Sequence, residues 1–419
     1  MIRTRVGLVT GIRRERDSLR EVNVSAEGEE VVAVNYCDLT GPVFPGDLVL
    51  LNNTAVYLGL GTGGVDFVSY NFSRPQPPFA GSGHIMKLRY TPWQMRVLAC
   101  EEKAAGYQRQ LAQFKGLQGM PVLIGELHSI LAPAAAVIKH YRPAGRIVYL
   151  MTDGGALPIR FSRTAAELKE KELLAATVTC GHAFGGDLEA VNVYSGLVAC
   201  RMILKADLVI ICIGPGHVGT GTRYGYSGIE VGEHVNRVNA LGGTAVVVPR
   251  ISLADSRRRH LGISHHTLTA LAEAALSAAH LVLPLSPRPQ LYRLIAQLRH
   301  SGILHRHYLH LKKAPPVDRI MHRFGLNPAE SMGRRYSDDP LYFQSIGAAA
   351  LAAADLIQKK NDKGDTNRGE SHGRDLILKL PLSRADRQCS PGPGLPAGRE
   401  YSVPGDSRTS RSRGRTGFR

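Results

Sequence analysis

The pattern of apolar and polar positions changes twice along this chain and divides it into three parts. In residues 1–80, short β-rich runs alternate with glycine and proline turn signals, which predicts a small all-β, barrel-like domain. In residues 84–358, apolar strands and amphipathic helices alternate, which predicts an α/β domain with a largely parallel sheet and flanking helices on both faces. In residues 359–419 the periodicity disappears, and we expect a disordered basic tail.

The pattern also places individual elements. The strands predicted in the first part are 31–34, 47–51, 55–60 and 65–70. The elements predicted next are a helix at 91–114, a strand at 122–124, a helix at 133–140, a strand at 146–151, a helix at 164–174, a strand at 176–180, a helix at 194–204, and strands at 207–213 and 244–248. Beyond residue 250 the pattern is mostly helical, with helices predicted at 264–280, 288–300, 314–324 and 340–358.

The feature that best indicates a binding site is a glycine-rich segment, residues 214–232. It contains seven glycines and directly follows the apolar run 206–213. A strand that runs into such a loop is typical of the binding crevices at the carboxyl edge of open α/β sheets. Without Cβ atoms, the backbone can approach a ligand and offer its N–H groups. The candidate ligand-binding residues of this segment are Gly214, Gly216, His217, Gly219, Thr220, Gly221 and Thr222.

The first three glycines of this segment match the G-x-G-x-x-G spacing of dinucleotide-binding loops. That fingerprint also requires a helix that opens at the third glycine and an acidic residue about 20 positions later. Here glycines continue to Gly232, and the next strand ends at Val248-Pro249-Arg250 without a carboxylate. The sequence therefore favours another kind of ligand-binding loop over a dinucleotide site, with a purely structural loop as the alternative.

Polar residues also follow the other predicted strands. Asp153 follows the strand at 146–151, His182 and Asp187 follow the strand at 176–180, and Glu126 and His128 follow the strand at 122–124. Because the carboxyl ends of parallel strands share one edge, these side chains are expected to open on one crevice. Histidine with aspartate can perform acid–base chemistry or bind a divalent metal, so the candidate catalytic residues are Asp153, His182 and Asp187. The alternative is that they brace turns.

A second cluster of candidates follows the last strand of the alternating region. Residues 255–267 carry three arginines and three histidines around the start of a helix predicted to be capped by Ser264. Cationic side chains beside free helix N–H groups form sites for phosphate or carboxylate, although a solvated basic turn would look the same. The candidate ligand-binding residues are Arg257, Arg259, His260, His265 and His266. A zinc site is not expected here, because the histidines lack the i, i+4 spacing of two ligands on one helix face.

Composition narrows the picture in three ways. No apolar run reaches the roughly 20 residues of a membrane span, and the N-terminus turns polar at once, so a cytoplasmic protein without a membrane partner is expected. Six scattered cysteines without a CxxC pair indicate reduced thiols. The net charge is +17, of which +7 lies in residues 359–419, and this excess makes a nucleic-acid partner possible.

Four of these segments carry a resemblance to a known family: residues 152–158, 180–192, 214–222 and 259–267. They resemble an uncharacterised bacterial family, domain of unknown function 3866, over about residues 1–358. The resemblance implies a bacterial cytoplasmic protein whose β-rich N-terminal part belongs to the same unit. It implies no activity and assigns no catalytic role.

The residue chemistry therefore leads to a functional hypothesis, an enzyme that acts on a small anionic metabolite, phosphorylated or carboxylated, in a crevice at the carboxyl edge of the sheet. Two alternatives are open: a non-catalytic ligand-sensing module that uses the same crevice, and a nucleic-acid-binding protein that uses the N-terminal β domain. The aromatic residues available for base stacking in that domain are few, namely Tyr36, Phe44, Tyr57, Phe67, Tyr70 and Phe72. The reaction, the cofactor, a bound metal and the oligomeric state are left open.

Overall fold

The N-terminal residues form a closed five-stranded barrel in the computed structural model, which describes residues 1–61, 63–74, 82–361 and 376–378, the side chains of 358–361 and 376–378 excepted. Its strands are β1 (Thr4–Arg16), β2 (Leu19–Ala26), β3 (Glu29–Tyr36), β4 (Leu48–Asn52) and β5 (Asp66–Asn71), with short helices α1 (Cys37–Thr40) and α2 (Thr54–Tyr57). The strands are ordered β1-β2-β3-β5-β4, and β4 pairs back to β1. Alternate valines such as Val22 and Val24 fill the interior, as a barrel's period-two pattern requires.

The predicted barrel-like domain is thus confirmed, with two differences in its elements. Strands β1 and β2 were not predicted, because their charged outward positions mask the alternation. The strand predicted at 55–60 is wrong, since α2 occupies that position. The barrel and the rest of the described chain belong to one compact unit.

The remaining chain is built on a large sheet. The other strands are β6 (Ile85–Lys87), β7 (Met95–Val97), β8 (Pro121–Gly125), β9 (Ile147–Thr152), β10 (Ala176–Cys180), β11 (Leu188–Ala190), β12 (Leu208–Ile213), β13 (Thr244–Val248), β14 (Ile251–Ser252), β15 (Gly262–Ile263), β16 (His280–Pro284), β17 (Tyr308–Lys312), β18 (Glu330–Ser331), β19 (Arg334–Arg335) and β20 (Leu376–Leu378). The other helices are α3 (Gln108–Ala112), α4 (Leu131–Tyr141), α5 (Arg163–Glu170), α6 (Val193–Met202), α7 (Glu230–Ala240), α8 (His265–Thr269), α9 (Arg288–His300), α10 (Val317–Arg323) and α11 (Pro340–Asn361).

The large sheet has the strand order β11-β10-β9-β12-β8-β13-β16-β17-β20. Neighbouring strands are parallel except β20, which runs antiparallel to β17. Strands β8, β9 and β12 are buried along their whole length, which explains their continuous apolar sequences. Alternate residues of these strands face two separate cores, one shared with α6 and α7 and the other with α4 and α11. The predicted α/β fold class is therefore confirmed.

The chain reverses its direction of winding between two neighbouring strands, β8 and β12. The connection from β8 to β9 runs through α4 on one face, and the connection from β12 to β13 runs through α7 on the other. The loops that leave β8 and β12 therefore diverge. In open α/β sheets such a switch point leaves a crevice outside the carboxyl ends of the two strands.

Two predicted helices of this region are wrong in position or type, and strands β16 and β17 were not predicted. The helix predicted at 91–114 is replaced by β7, a 3₁₀ turn at Lys103–Ala105 and the short α3, because Cys100 N–H bonds Glu189 O (2.8 Å) and ties this stretch to the sheet edge. The helix predicted at 264–280 ends earlier, since α8 continues as a π-helical turn, Ala270–Ala274, and β16 then enters the sheet. Strand β17 was also missed.

The last helix, α11, is longer than the apolar run that the sequence suggested. Its window Pro340–Ile357 is long and apolar enough to cross a membrane by length and composition, so the expectation that every apolar run is too short is wrong. In the structure 67% of that window is buried, and the helix packs on α4, β13 and β16. It behaves as the core helix of a folded domain.

Two expectations fall partly or wholly outside the described residues. Cys37, Cys100, Cys180, Cys200 and Cys212 are free thiols, whereas Cys389 lies outside the described part. Of the predicted tail, residues 359–361 continue α11 and 376–378 form β20, and its other residues lie outside the described part.

Candidate active site

A buried carboxylate lies at the switch point. Glu126 comes directly after β8 and is only 5% exposed. Its Oε1 accepts a hydrogen bond from Arg250 Nη1 (3.0 Å) and lies 2.6 Å from His266 Nδ1. Burial alone would raise the pKa of Glu126, but the bond to His266 and the charge of Arg250 outweigh it and hold the pKa at about 2. Glu126 is therefore ionised, and its Oε2 is buried without a hydrogen-bond partner in the described part of the chain.

The imidazole of His266 is fixed on several sides. Its backbone N–H bonds the capping Ser264 Oγ (3.2 Å), and the Tyr226 ring stacks on it at 3.8 Å with an interplanar angle of 2°. Tyr226 Oη also donates to His266 O (2.8 Å). Because an ionised carboxylate only accepts hydrogen bonds, Nδ1 carries the proton that faces Glu126, which leaves Nε2 as the ring nitrogen for further contacts. Such an imidazole can accept a proton or bind a metal ion.

Three more histidines surround His266. The ring centroids of His217, His260 and His265 lie 5.1, 4.9 and 4.3 Å from that of His266. Burial lowers the pKa of His217 to about 4 and that of His260 to about 3, so both are neutral at pH 7. His217 Nε2 and His265 Nε2 are buried and form no hydrogen bond with any residue that the structure describes.

This convergence overturns the spacing argument against a metal. One ligand atom from each of His260, His265 and His266 lies within 4.8 Å of the others. The rings meet without i, i+4 spacing because His260 belongs to a 3₁₀ turn that folds back on the first turn of α8.

The arginines of this segment divide into two groups. Arg257 forms two hydrogen bonds with Asp255, at 2.9 and 2.8 Å, so this predicted ligand-binding residue is committed to an internal partner. The bond from Arg257 lowers the pKa of Asp255, and buried Arg250 lies 3.8 Å from the same carboxylate. Arg259 instead is exposed, and no ion pair holds it among the described residues. Its guanidinium lies 3.8 Å from the position that a Cβ would take at Gly221.

The predicted glycine loop folds beside this cluster. After β12, Gly219 forms an antiparallel bridge with Tyr226, and Thr220 N–H bonds Gly225 O (2.8 Å). The hydroxyls of Thr220 and Thr222 bond each other at 2.8 Å. Helix α7 opens at Glu230, as expected for a loop without the dinucleotide fingerprint. Of the first two glycines, Gly214 is buried and Gly216 is exposed with φ +100°.

Two glycines of this segment shape the site directly. A Cβ at Gly228 would overlap Glu126 Cγ and come within 3.1 Å of His217 Cε1. A Cβ at Gly219 would stand 3.6 Å from His266 Nε2. Glycine at these positions lets the loop lie against the buried groups, and at Gly219 it keeps side-chain atoms away from His266 Nε2.

The three predicted catalytic residues do not come together. Asp153 Oδ2 accepts the backbone N–H of His182 (2.9 Å), and His182 Nδ1 accepts that of Leu88 (3.0 Å). This pair lies at the end of β9 and β10, and β9 is two strands, about 10 Å, from β8. Asp187 lies near the amino end of β10, where its carboxylate accepts from Thr177 N–H (2.8 Å) and pairs with Lys169. The expectation that all three side chains open on one crevice is therefore wrong.

Two residues of the site were missed by sequence reasoning. Arg250 follows the buried strand β13 by two positions, so its place at a strand end was a usable signal. Tyr226 lies within the glycine-rich segment, and no sequence pattern indicates that its ring stacks on His266.

A separate serine–histidine pair lines a cavity of about 340 Å³ between barrel residues and the turns and loops around His128, Ser162 and Pro215. His128 Nε2 lies 2.7 Å from Ser162 Oγ, and His128 Nδ1 lies 3.2 Å from Tyr149 Oη. Ser162 Oγ already accepts the N–H of Ala165 (2.9 Å) as the cap of α5. Without a carboxylate on Nδ1, this pair lacks the acidic member of a nucleophilic triad, and we interpret it as structural.

Burial of His128 leads to a pH-dependent prediction. Burial lowers its pKa from 6.5 to about 4, so the unfolded chain binds a proton that the folded protein does not. The stability that this group contributes is present above pH 6.5 and is lost as the pH falls toward 4, by about 3 kcal/mol. Urea unfolding at a series of pH values measures this loss. In His128→Asn the free energy of unfolding should fall less between pH 6.5 and pH 4, whereas the variant of an exposed histidine, His300→Asn, should show the same fall as the wild type. Equal slopes in the two variants would contradict the prediction.

Fold and site together define the class, an α/β protein with an N-terminal barrel and a histidine-rich polar site at the switch point of a parallel sheet. The chain belongs to the family described as "Protein of unknown function (DUF3866)", whose model matches residues 32–350. No curated protein matches the chain. The matched range contains every residue of the site described above.

Proposed function

We propose that this protein is a cytoplasmic enzyme that acts on a small anionic metabolite, phosphorylated or carboxylated, at the carboxyl ends of β8 and β12. One observation supports this most strongly. The buried Glu126 carboxylate binds Nδ1 of His266, and the other ring nitrogen, Nε2, lies beside Gly219 of the glycine-rich segment. Strongly perturbed buried groups that gather in a crevice are typical of active sites.

Each group has a role in the proposal. His266 is the reactive centre, Glu126 sets its tautomer, and Tyr226 holds the plane of its ring. Arg259, beside Gly221, binds the anion, because a guanidinium with no ion pair among the described residues can form charge-assisted hydrogen bonds with phosphate or carboxylate.

The proposal moves the reactive centre away from the residues first considered. Asp153 accepts a backbone N–H at a turn where a Cβ at Gly181 would overlap its carboxylate, so it acts as a turn brace. Asp187 pairs with Lys169 at the other end of the strand. We assign neither carboxylate to the reaction.

The proposal is tested by a thermal-shift screen of the full chain against nucleotides, sugar phosphates, small carboxylates and inorganic phosphate. A ligand at 100 times its dissociation constant should add about 2.7 kcal/mol of stability. Arg259→Gln should weaken that ligand by about 10- to 100-fold, as expected for the loss of a charged hydrogen bond. Arg258→Gln is the matched control, because Arg258 is an exposed arginine on the same 3₁₀ turn.

The outcomes separate the functional classes. Turnover of the ligand that disappears in His266→Gln supports an enzyme. Binding without turnover would replace the enzyme by a ligand sensor. No response to any compound, or equal effects of Arg258→Gln and Arg259→Gln, would overturn the proposed site. The barrel offers little in favour of nucleic acid, since β2 and β3 carry the acidic residues Glu21, Glu29 and Glu30.

A further inference from the structure

We propose that His260, His265 and His266 bind one divalent transition-metal ion, Zn²⁺ or an ion of similar preference. Three imidazole nitrogens with an open fourth position form the ligand set of a catalytic zinc centre. Here one ligand atom from each of the three rings lies within 4.8 Å of the others, so the rings are grouped closely enough to hold one ion.

The second coordination shell supports the same site. Metal-bound histidines almost always bond a carboxylate or another acceptor through their second nitrogen, which orients the ring. Glu126 takes this role for His266 at Nδ1 (2.6 Å), and Ser264 Oγ takes it for His260 at Nδ1 (2.8 Å). In both rings Nε2 is the atom left to coordinate.

An unpartnered nitrogen supports it independently. His265 Nε2 is buried without a hydrogen bond, which costs free energy unless the atom has another partner. The ring centroid of His265 lies 5.1 Å from that of His260 and 4.3 Å from that of His266, so this nitrogen belongs to the same cluster.

A competing ligand set shares His266 and adds Glu126 and His217. Glu126 Oε1 is already engaged by Arg250 (3.0 Å) and by His266 Nδ1, the contacts of an outer-shell carboxylate. Direct coordination by Glu126 would place the cation next to the Arg250 guanidinium. In the three-histidine set, Glu126 lies between the cation and the Arg250 guanidinium, so the two positive charges are further apart.

The inferred ion deepens the proposed function, because an ion bound to His266 Nε2 would itself be the reactive centre, next to Gly219 and to the loop at Gly221, where Arg259 would bind the substrate anion. Only the catalytic role of the ion rests on the proposed function. Metal binding itself is measured without any substrate, so it can succeed where the proposed enzyme fails.

The test uses the full chain, purified without a histidine tag, stripped with a chelator and titrated with ZnCl₂ and CoCl₂. We expect one ion per chain by calorimetry and elemental analysis, and a Co²⁺ absorption spectrum typical of tetrahedral nitrogen ligands. His265→Gln should abolish this binding, and Glu126→Gln should weaken it by about 10- to 100-fold. The exposed His300→Gln is the matched control and should bind as the wild type does.

Three results would overturn the proposal. The first is no stoichiometric binding by the wild type. The second is equal binding by wild type and His265→Gln, both shown to be folded by circular dichroism. The third is loss of binding in His217→Gln with retention in His260→Gln, which would assign the ion to the competing set. Loss of ligand binding in Arg259→Gln with one ion still bound would leave the metal site intact.

Discussion

Glu126→Ala is expected to lower the free energy of unfolding by about 3–5 kcal/mol, the usual cost of removing one member of a buried charge pair. The substitution leaves the Arg250 guanidinium, 5% exposed, with Asp255 at 3.8 Å as its remaining ion-pair partner among the described residues. It also leaves His266 Nδ1 without its acceptor. Urea unfolding monitored by circular dichroism measures the change as a lower midpoint.

The matched control for this prediction is Glu233→Ala. Glu233 also pairs with an arginine, Arg237 at 2.7 Å, but its side chain is 50% exposed on α7. An exposed i, i+4 pair contributes about 0.3–0.5 kcal/mol, so this variant should be nearly neutral. Equal effects of Glu126→Ala and Glu233→Ala would show that the charges at the switch point are solvated.

Adding Arg250→Met to Glu126→Ala should recover part of the loss, because the double variant no longer buries an unpaired guanidinium. The coupling free energy between the two positions is expected to be in the range of about 0.5–3 kcal/mol. Strict additivity would argue that the 3.0 Å contact between these side chains does not form in solution.

Phe343→Ala is expected to have an effect of similar size, about 3–5 kcal/mol, because it leaves a cavity in the core. Phe343 lies in the first turn of α11, is 1% exposed, and packs edge-on against Tyr342 at 5.2 Å. The cavity would open between α11 and the sheet, where compensating movement of the central strands is limited. Thermal or urea unfolding of the full chain measures it.

Phe72→Ala is the control, since Phe72 makes a similar edge contact with Tyr70 at 5.2 Å but is 52% exposed on the barrel. It should change stability by less than about 1 kcal/mol. A small effect of Phe343→Ala would mean that α11 does not pack on the sheet, and its length and composition would then call for membrane-binding experiments.

The fold was predictable where local signals agreed with the tertiary environment. Strands β8, β9 and β12 are continuous apolar runs because both faces of the sheet are covered, so their burial is visible in the sequence. Strand β16 was missed because its run is short and follows an alanine-rich helical stretch. Its pairing with β13 and β17, not its local preference, makes it a strand.

The site was predictable in its parts. The glycine-rich segment and the residues 255–267 were both identified from the sequence, and the structure places Gly221 of the first beside Arg259 of the second. The sequence could not show that Arg257 would be occupied by Asp255, nor that Asp187 would lie at the far end of β10. Those outcomes depend on which side chains meet after folding.

By itself, the sequence determined that the chain contains a β-rich N-terminal part, an α/β part and a glycine-rich loop after a central strand, because these features depend on local composition and periodicity. Only the tertiary structure decided that Glu126, Arg250 and the histidines of two loops share one buried site. Glu126 is more than 100 residues from Arg250 and His266 in the chain, and strand order brings them together at the switch point. Strand order follows from the packing of the whole sheet, which no local pattern encodes.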